Sequence, residues 1–326
     1  MSASQPLVSV IIVNWNGEKW LKKCLGSLCA QTYKNTEIVF VDNASTDDSV
    51  EFVHKNYPEV IIVQSEINRG FAGGNNLGVT HSHGEYILLL NNDTWVKNNF
   101  LAELMSQYDT VKSDVIAPLE SSYAGERQVR YIMTIDIFGH GFGIHNTNRQ
   151  SFYLPGACLL FSKKLYNETD GLDKDFFMYC EEVDWFWRLH LLGKTIYQCN
   201  DIFVFHAGIG NISDGMRYKK FLWRNQNTLQ MLLKNYSWYN LLWVLPIYLI
   251  QNIFEFLTFL LVLKPKIAWS YIGGWWFNIR YFPRTMKKRS LIQKKRLVSD
   301  FQVMRDMYHG FGKAVHLLRF ITAEKE

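Results

Sequence analysis

The stretch Val8–Val13, with the sequence VSVIIV, decides the fold of this chain of 326 residues. Its run of largely β-branched residues is typical of a strand that is buried on both faces of a parallel sheet. Asn16-Gly17 ends the run, and apolar residues then recur at helical spacing from Trp20 to Leu28. Because strand and helix patterns go on alternating through the first half of the chain, we predict an α/β fold whose mostly parallel sheet is flanked by helices.

Four more strands are predicted in the first half of the chain. They lie at Glu37–Val41, Val60–Val63, Tyr86–Leu90 and Val115–Ala117. Ser45 or Thr46 is predicted to cap the helix that follows the second strand. Residues 119–150 lack periodicity and are predicted to form an irregular insertion, which is followed by a helix at Glu181–Leu192 and a short strand at Ile202–Phe205.

Polar residues follow the predicted strands at the points where the strands end. They are Asn14, Asp42-Asn43, Asn68–Asn76 and Asn91–Asp93. Ligands of parallel sheets bind outside the carboxyl ends of the strands, so we expect a binding site there. Asp42 and Asp93 are expected on adjacent strands, although either acid alone is equally well explained as a helix cap.

The loop Asn68–Asn76 is rich in glycine and carries Arg69 close to a predicted helix N-terminus. Glycines allow a close approach of the backbone, and both the helix end and the arginine favour phosphate. A tight turn explains the same residues without any ligand. The segment is not G-x-G-x-x-G and does not follow the first strand, which argues against a dinucleotide site.

Three carboxylates, those of Glu181, Glu182 and Asp184, cluster at the start of a predicted helix. Acids at a helix start complement the helix dipole, which explains one or two of them. The aromatic run Phe176–Tyr179 lies directly before them and is expected to exclude water. The cluster is therefore a candidate for catalysis as well as for helix stability.

Composition and cysteine content limit the class of protein. Apolar residues make up 48% of the chain and charged residues 20%, which excludes a disordered or fibrous chain. The five cysteines are scattered without a C-x-x-C pair, which argues against a disulfide framework or a zinc site and indicates a reducing compartment. No basic segment precedes an apolar one at the N-terminus, so we expect no signal peptide and a cytoplasmic protein.

Basic charge is concentrated between Phe256 and Ser299, where ten Lys and Arg residues occur without any Asp or Glu. The rest of the chain has 25 basic and 30 acidic residues, so an acidic body carries a basic, aromatic tail. Such a tail indicates an anionic partner, either a membrane surface or a nucleic acid. Because no recognised nucleic-acid motif occurs, we favour an anionic membrane surface and expect no nucleic acid.

An apolar segment of 23 residues, Leu241–Leu263, overlaps the start of this basic region. It is long enough to cross a membrane, but Glu255 would cost about 2.5–3.5 kcal/mol at the bilayer centre. We therefore predict a helix that lies in the membrane plane or re-enters the membrane, and the alternative is a homodimer interface that buries the same surface. The domain boundary is predicted near Tyr236, between a domain of residues 1–236 and a helical C-terminal region of residues 237–326.

Six motifs, in order along the chain, carry a resemblance to a known family. They are VSVIIVNWNGEKWLKKCLGSLCAQTY from Val8, VDNASTDDS from Val41, NRGFAGGNNLG from Asn68, YILLLNND from Tyr86, PGACLLF from Pro155 and FFMYCEEVDWFWRLHLLG from Phe176. From about Val8 to His206 the chain resembles the family 2 inverting glycosyltransferases, which have a GT-A fold, and in particular their rhamnosyltransferase-like branch.

The resemblance implies a site for a nucleotide sugar. Asp42 would bind the base of the nucleotide, together with the backbone around Val13 and Asn14. The rest of the pocket would be lined by Asn68, Arg69, Gly70, Asn75 and Asn92. Asp93 stands where the family places a metal-binding carboxylate, and His206 resembles a histidine that completes the metal site in some members. A divalent cation, Mg²⁺ or Mn²⁺, is therefore expected, although the motif here has one carboxylate instead of two or three.

Glu182 matches the second acid of the family's E-D motif, which is taken as the catalytic base, and Glu181 and Asp184 remain alternatives. The implied reaction is a single displacement with inversion. The expected donor is a UDP- or dTDP-linked sugar such as rhamnose, and the expected acceptor is a lipid-linked or cell-surface glycan precursor at the inner face of the cell membrane. The alternatives are a sugar-nucleotide-forming nucleotidyltransferase, whose G-x-G-rich first loop is missing, and a nucleic-acid-binding protein.

Overall fold

A computed structural model describes residues 5–125, 131–144, 150–208 and 214–313, and within these it describes no side chain of residues 214–217. The chain divides into two compact units. Unit 1 comprises residues 1–130, 154–177 and 195–210, and unit 2 comprises residues 131–153, 178–194 and 211–326. Both units are thus discontinuous in sequence. The division near Tyr236 falls inside unit 2 and stays a prediction.

Where the structure describes unit 1, it contains eight strands and five helices, which are numbered along the whole chain. The strands are β1 (Val8–Asn14), β2 (Thr36–Asp42), β3 (Ile61–Gln64), β4 (Tyr86–Leu90), β5 (Thr94–Trp95), β6 (Val115–Ser122), β9 (Cys158–Ser162) and β10 (Ile196–His206). The helices are α1 (Glu18–Cys29), α2 (Ser49–Asn56), α3 (Gly70–Thr80), α4 (Phe100–Val111) and α5 (Lys163–Glu168). All eight strands form one sheet in the order β3-β2-β1-β4-β9-β6-β10-β5, which confirms the predicted fold class.

Strand β1 lies at the centre of the parallel part of the sheet, with β2 and β4 paired to it on either side. Ile11 and Ile12, which point to opposite faces, are both fully buried. On one face, α3 comes so close that a Cβ atom at Gly78 would lie 2.3 Å from the Ile11 side chain. Glycine at this position therefore sets how closely the helix of the glycine-rich loop packs on the central strand.

Two expectations about the sheet need correction. Because β1 lies between β2 and β4, Asp42 and Asp93 do not follow adjacent strands. Strand β10 begins at Ile196, earlier than the predicted Ile202, because it pairs with β6 on both sides of a bulge between Gln198 and Phe203. The bulge interrupts the regular alternation of side chains, so the sequence pattern shows only the second part of the strand.

The helix after β2 begins later than predicted, at Ser49, and neither Ser45 nor Thr46 caps it. Both residues are bonded instead to the loop after β1. The Ser45 hydroxyl accepts a hydrogen bond from the backbone N–H of Asn16 at 3.0 Å, and the Thr46 N–H donates to the Asn16 side chain at 2.7 Å. Ser45 and Thr46 thus connect the loop after β2 to the loop after β1, and these hydrogen bonds compete with helix capping.

The described residues of unit 2 form two short strands and six helices. The strands are β7 (Ile132–Ile135) and β8 (Gly141–Ile144), which pair in an antiparallel manner. The helices are α6 (Glu181–Leu191), α7 (Asp214–Asn235), α8 (Trp238–Leu261), α9 (Pro265–Arg280), α10 (Phe282–Lys295) and α11 (Asp300–Arg305). The predicted helix from Glu181 is therefore confirmed. The expectation of an irregular segment at 119–150 is wrong for β7 and β8. Each has four residues, which is too short for the alternation of a strand to show in the sequence. Residues 126–130 and 145–149 of this segment lie outside the described residues.

Helix α8 corresponds to the predicted apolar segment. Within the described ranges it is the one helix whose length and composition would let it cross a membrane. Its polar side chains face the interior of unit 2, where Asn252 is buried and the Glu255 carboxylate accepts a hydrogen bond from the Tyr271 hydroxyl at 2.6 Å. Leu242 and Phe254 are 77% and 65% exposed. The helix therefore presents an apolar face to solvent.

Candidate active site

The loops after β1, β2 and β4 meet at one edge of the sheet in unit 1. The side-chain amide of Asn92 donates to the side-chain oxygen of Asn14 at 2.7 Å, and the Asn14 amide donates to the Ser45 hydroxyl at 3.2 Å. Gly17 makes room for this pair, because a Cβ atom there would lie 2.2 Å from the Asn92 amide nitrogen. Val13, directly before Asn14, is half-buried. A row of polar groups thus runs along the carboxyl ends of the strands.

Asp42 and Asn43 end β2 and connect it to the neighbouring loops. Asp42 is buried, and its carboxylate accepts a hydrogen bond from the Ser45 N–H at 3.3 Å. The side-chain amide of Asn43 donates to the Asn68 side chain and to the Gly70 carbonyl, both at 3.0 Å. Two segments that the sequence predicts to bind the nucleotide are therefore bonded to each other.

Three further residues predicted to line the nucleotide pocket differ in exposure. Gly70 has a φ of +68°, and a Cβ atom there would lie 1.9 Å from the Phe177 carbonyl oxygen, so glycine is required for the backbone itself. Asn75 is buried. Arg69 is exposed, and its Nε donates to the Ser65 hydroxyl at 2.8 Å. Of the three, Arg69 is the residue whose side chain reaches solvent.

Asp93 and His206 come together in unit 1, and Glu120 joins them. The Asp93 carboxylate lies 3.1 Å from Nε2 of His206, and the Glu120 carboxylate lies 3.5 Å from Nδ1. Burial alone would lower the pKa of His206, but the hydrogen bonds and charges of Asp93 and Glu120 raise this pKa to about 10. The imidazole is therefore held in its charged form between two carboxylates.

Asp93 and His206 offer two donor atoms to a divalent cation. These atoms are 3.1 Å apart, so one ion can contact both once the imidazole has lost its proton. In the described part of the chain, no group of three or more His, Cys, Asp or Glu residues is arranged to hold a metal ion. Mg²⁺ is usually bound by one or two carboxylates together with substrate phosphates, so two protein donors fit an ion whose coordination the substrate completes.

The three acids at the start of α6, in unit 2, differ in burial and charge. Asp184 is fully buried and lies 3.0 Å from both Nε of Arg188 and Nζ of Lys234. Glu181 is buried as well, and its burial, together with the charge of Glu182, raises its pKa well above the usual value. Glu182 is half-buried. Asp184 is therefore a structural anion, Glu181 favours its protonated form, and Glu182 is the acid with access to solvent.

The two residues before α6 have left-handed backbone conformations. Tyr179 has a φ of +71° and Cys180 a φ of +67°. Such conformations cost about 1–3 kcal/mol each in residues other than glycine. Asn227 of α7 stabilises this turn, because its amide donates to the Met178 carbonyl at 3.1 Å and to the Tyr179 carbonyl at 2.7 Å. Helix α7 thus fixes the start of the helix that carries the acids.

Sequence reasoning named Asn43 among the strand-end polar residues without giving it a role, and it did not single out Glu120 or Asn227. Asn43 has the same strand-end position as Asp42, so this signal was available. Glu120 lies inside β6, and it meets His206 only because of the register between β6 and β10. Asn227 contacts residues that are 48 and 49 positions away. No local pattern reveals either of the last two.

Residues 9–169 match the model of one protein family, Glycosyl transferase family 2. This part of the chain is therefore similar to the family 2 glycosyltransferases. The matched range contains the loops of Asp42, Asn68 and Asp93 and ends before Glu182 and His206. The family resemblance predicted from the motifs is thus confirmed for the first half of the chain.

Relatives with known names are glycosyltransferases. Glycosyltransferase GlyG of Streptococcus pneumoniae is 27% identical over 222 residues, covering 63% of this chain and 72% of its own. WfaP of Escherichia coli, a UDP-Glc:alpha-D-GlcNAc-diphosphoundecaprenol beta-1,3-glucosyltransferase, is 25% identical over 231 residues, covering 69% and 86%. The structure of the mannosyltransferase PcManGT from Pyrobaculum calidifontis with GDP-Man and Mn²⁺ matches with a TM-score of 0.54 and 16% identity, covering 84% of this chain and 87% of that one. These likenesses support a glycosyltransferase of GT-A fold and do not distinguish the rhamnosyltransferase-like branch.

Proposed function

We propose that this protein transfers a sugar from a nucleoside-diphosphate sugar to a hydroxyl group of a lipid-linked or cell-surface glycan precursor, with inversion at the anomeric carbon. One observation carries the proposal: in unit 1, the polar loops after β1, β2 and β4 are bonded together at one sheet edge. The name of WfaP, which pairs a UDP-sugar with a lipid-diphosphate acceptor, supports these substrate classes. A dTDP-linked donor and rhamnose remain predictions.

Each group has a defined task in this proposal. Asp42 bonds the nucleotide base beside the backbone of Val13 and Asn14, and Arg69 contacts the diphosphate. The rest of the donor pocket is lined by Asn68, Gly70, Asn75 and Asn92. Glu182 removes the proton of the acceptor hydroxyl, whose oxygen attacks the anomeric carbon while the bond to the nucleoside diphosphate breaks. A single in-line step of this kind inverts the anomeric centre.

Transfer of a labelled sugar tests this function directly. The full chain is incubated with UDP-glucose, UDP-GlcNAc or dTDP-rhamnose and with an alkyl diphosphate that carries GlcNAc. We expect one donor to give an alkyl-linked product, and the coupling constant of the new anomeric proton reports inversion. If no donor reacts and neither UDP nor dTDP binds, the proposal is wrong.

We also propose that a divalent cation, Mg²⁺ or Mn²⁺, takes part. Asp93 and His206 would hold it, because the Asp93 carboxylate and Nε2 of His206 lie 3.1 Å apart. When bound, the ion would stabilise the negative charge of the departing diphosphate. The PcManGT structure, which has the same fold, contains Mn²⁺.

Asp93→Ala is expected to remove the metal dependence of nucleotide binding, because it deletes the one carboxylate of the proposed pair. Calorimetry of UDP binding with Mn²⁺ and with excess chelator measures this dependence. We expect chelator to weaken binding to the unaltered chain about tenfold or more, a difference of about 1.4 kcal/mol. Glu66→Gln, which removes an exposed acid of unit 1, is the control. Equal affinity with and without chelator in the unaltered chain would contradict metal use; a normal metal response in His206→Ala would make His206 structural.

We propose further that unit 2 attaches the protein to the inner, cytoplasmic face of the cell membrane. The exposed apolar side of α8 would enter the headgroup region, and Trp269 and Trp276 of α9, which are 60% and 63% exposed, suit the membrane interface. Basic residues that are exposed on α9 and α10 would face anionic lipids. They are Lys266, Arg280, Arg284, Lys287, Lys294 and Lys295.

Arg289 and Arg296, two of the ten basic residues in this region, make contacts within unit 2. Arg289 is buried, and its guanidinium donates to the carbonyls of Leu233 and Tyr236, both at 2.6 Å. Arg296 forms an ion pair with Asp300. The charge that a membrane can meet is therefore smaller than the sequence count. At about 1 kcal/mol per basic residue, the exposed ones still suffice to hold a helix whose apolar face is already partly inserted.

Ile250→Asp combined with Phe254→Asp is expected to release the chain from vesicles, since both side chains belong to the exposed apolar side of α8. Flotation with anionic vesicles measures binding, and high salt should weaken it without abolishing it. Ile67→Asp, at an apolar residue of unit 1 that is 62% exposed, is the matched control. If the unaltered chain stays soluble and forms a dimer that the double variant dissociates, the face is a homodimer interface and the membrane proposal is wrong.

A further inference from the structure

Two cations of α7 lie along the turn that leads into α6, and the function proposed above does not use them. Lys220 and Arg224 are one helical turn apart, and Asn227, which stabilises the turn at Tyr179, continues the same helix face. The ammonium nitrogen of Lys220 lies 5.4 Å from the centroid of the Tyr179 ring. This face of α7 therefore brings two positive charges beside the turn that directly precedes the acid cluster of Glu182.

Both cations are half-buried, yet in the ranges that the structure describes no carboxylate lies within ion-pair distance of either. Burial and then the charge of Arg224 lower the pKa of Lys220. The charge of Arg224 also acts on the pKa values of the Cys180 thiol and the Tyr271 hydroxyl, so Arg224 is close enough to both groups to influence them. Like charges one turn apart destabilise a helix, and half-burial increases the penalty. The pair is therefore unfavourable in the protein alone.

Two other cations of unit 2, the half-buried Lys313 and the buried Lys234, are paired with carboxylates, and the buried Arg289 donates to backbone carbonyls. Nζ of Lys313 lies 2.8 Å from the Glu255 carboxylate, and Nζ of Lys234 lies 3.0 Å from the Asp184 carboxylate. In these three cases the protein itself supplies carboxylate or carbonyl oxygens to the cation. The contrast indicates that the charges of Lys220 and Arg224 are kept for an anion that is not part of the described protein.

We propose that Lys220 and Arg224 form a binding site for a phosphate or diphosphate group of a transfer substrate. The planar guanidinium of Arg224 matches two phosphate oxygens, and the ammonium of Lys220 adds a compact charge that the Tyr179 ring helps to position. This assignment rests on the proposed function, because it takes the phosphate to belong to a reactant. The diphosphate has two possible sources, namely the nucleotide donor and a lipid-diphosphate acceptor.

Inorganic pyrophosphate tests the site itself, because it contains the shared chemistry of both sources. Calorimetry with the full chain should show that Lys220→Gln and Arg224→Gln each weaken pyrophosphate binding about tenfold or more. Arg224→Lys keeps the positive charge but lacks the planar guanidinium that matches two phosphate oxygens, so it should retain part of the affinity. Lys219→Gln removes an exposed charge from the same helix and should change nothing. Equal binding by the Lys219, Lys220 and Arg224 variants would overturn the proposal.

Steady-state kinetics separate the two sources. If the site holds the acceptor, Lys220→Gln raises the KM for GlcNAc-diphosphate-alkyl about tenfold but leaves the KM for the alkyl glycoside without phosphate and for the donor unchanged. If it holds the donor, the KM for the nucleotide sugar rises instead. If Lys220→Gln raises neither the KM for the acceptor nor the KM for the donor selectively, the result contradicts the proposed site. Should the unaltered chain transfer no sugar, the proposed function fails, while the pyrophosphate measurement still decides whether the site exists.

Thermal unfolding separates a binding role from a structural one. Removing one of two like charges relieves repulsion, so Lys220→Gln should unfold at the same or a higher temperature than the unaltered chain. Pyrophosphate should raise the Tm of the unaltered chain and of Lys219→Gln but not that of Lys220→Gln. A Lys220→Gln chain that unfolds at a clearly lower temperature and still binds pyrophosphate normally would overturn the proposal in favour of a packing role.

Discussion

Glu182→Gln is expected to reduce sugar transfer by about 10²–10⁴-fold, the usual effect of removing a positioned general base. The amide keeps the shape of the side chain but accepts no proton from the acceptor hydroxyl. Donor binding should stay nearly unchanged, because the proposed donor residues belong to the loops of unit 1. Single-turnover transfer and calorimetry of UDP binding measure the two effects separately.

Glu181→Gln is the matched comparison for this experiment. Burial and the charge of Glu182 favour the protonated form of Glu181, so an amide replaces a neutral carboxyl group of the same shape. We therefore expect transfer close to that of the unaltered chain. Loss of transfer in Glu181→Gln with full transfer in Glu182→Gln would make Glu181 the base.

The fold class was predictable because the decisive strands are apolar on both faces. A run such as Val8–Val13 has one favourable place in a protein of this size, the middle of a sheet covered by helices. Strand direction was harder to predict, because β9 is as apolar as its parallel neighbours and still runs antiparallel between β4 and β6. Its direction depends on how the chain returns to the sheet, and the local hydrophobic periodicity of the sequence contains no information about this path.

The donor side of the site was predictable from one topological rule, that polar residues gather where parallel strands end. The bonds from Asn92 to Asn14 and from Asn43 to Asn68 join loops that this rule places at one edge. The contact of Glu120 with His206 follows a different logic. It depends on the register across the bulged β6–β10 pair, so it could be seen only once the strands were paired.

The roles of the three acids of α6 could not be separated from the sequence. Acids two or three residues apart at a helix start are equivalent for the helix dipole. They differ because α7 supplies Lys234 to one of them and because the interior of unit 2 encloses another. Tertiary partners therefore decide which carboxylate is charged and accessible.

Asp184→Asn is expected to lower the free energy of unfolding by about 3–5 kcal/mol, the typical cost of removing one member of a buried ion pair. The Asp184 carboxylate is fully buried and lies 3.0 Å from the charged groups of both Arg188 and Lys234. It also accepts a hydrogen bond from the Asn235 amide at 3.1 Å. The amide of the variant carries no charge to balance these cations, of which Lys234 is 1% exposed. Urea unfolding followed by circular dichroism measures the change.

The same variant separates a structural anion from a catalytic one. Asp109→Asn removes an exposed acid of α4 and should change the free energy of unfolding by less than about 0.5 kcal/mol. Below the unfolding transition, Asp184→Asn should still transfer sugar, because the proton acceptor of the proposed reaction, Glu182, is retained. Normal stability combined with a large loss of transfer would mean that Asp184 takes part in the reaction despite its ion pairs. Loss of stability with transfer retained would show that one acid of the cluster holds α6 and α7 together while its neighbour does the chemistry.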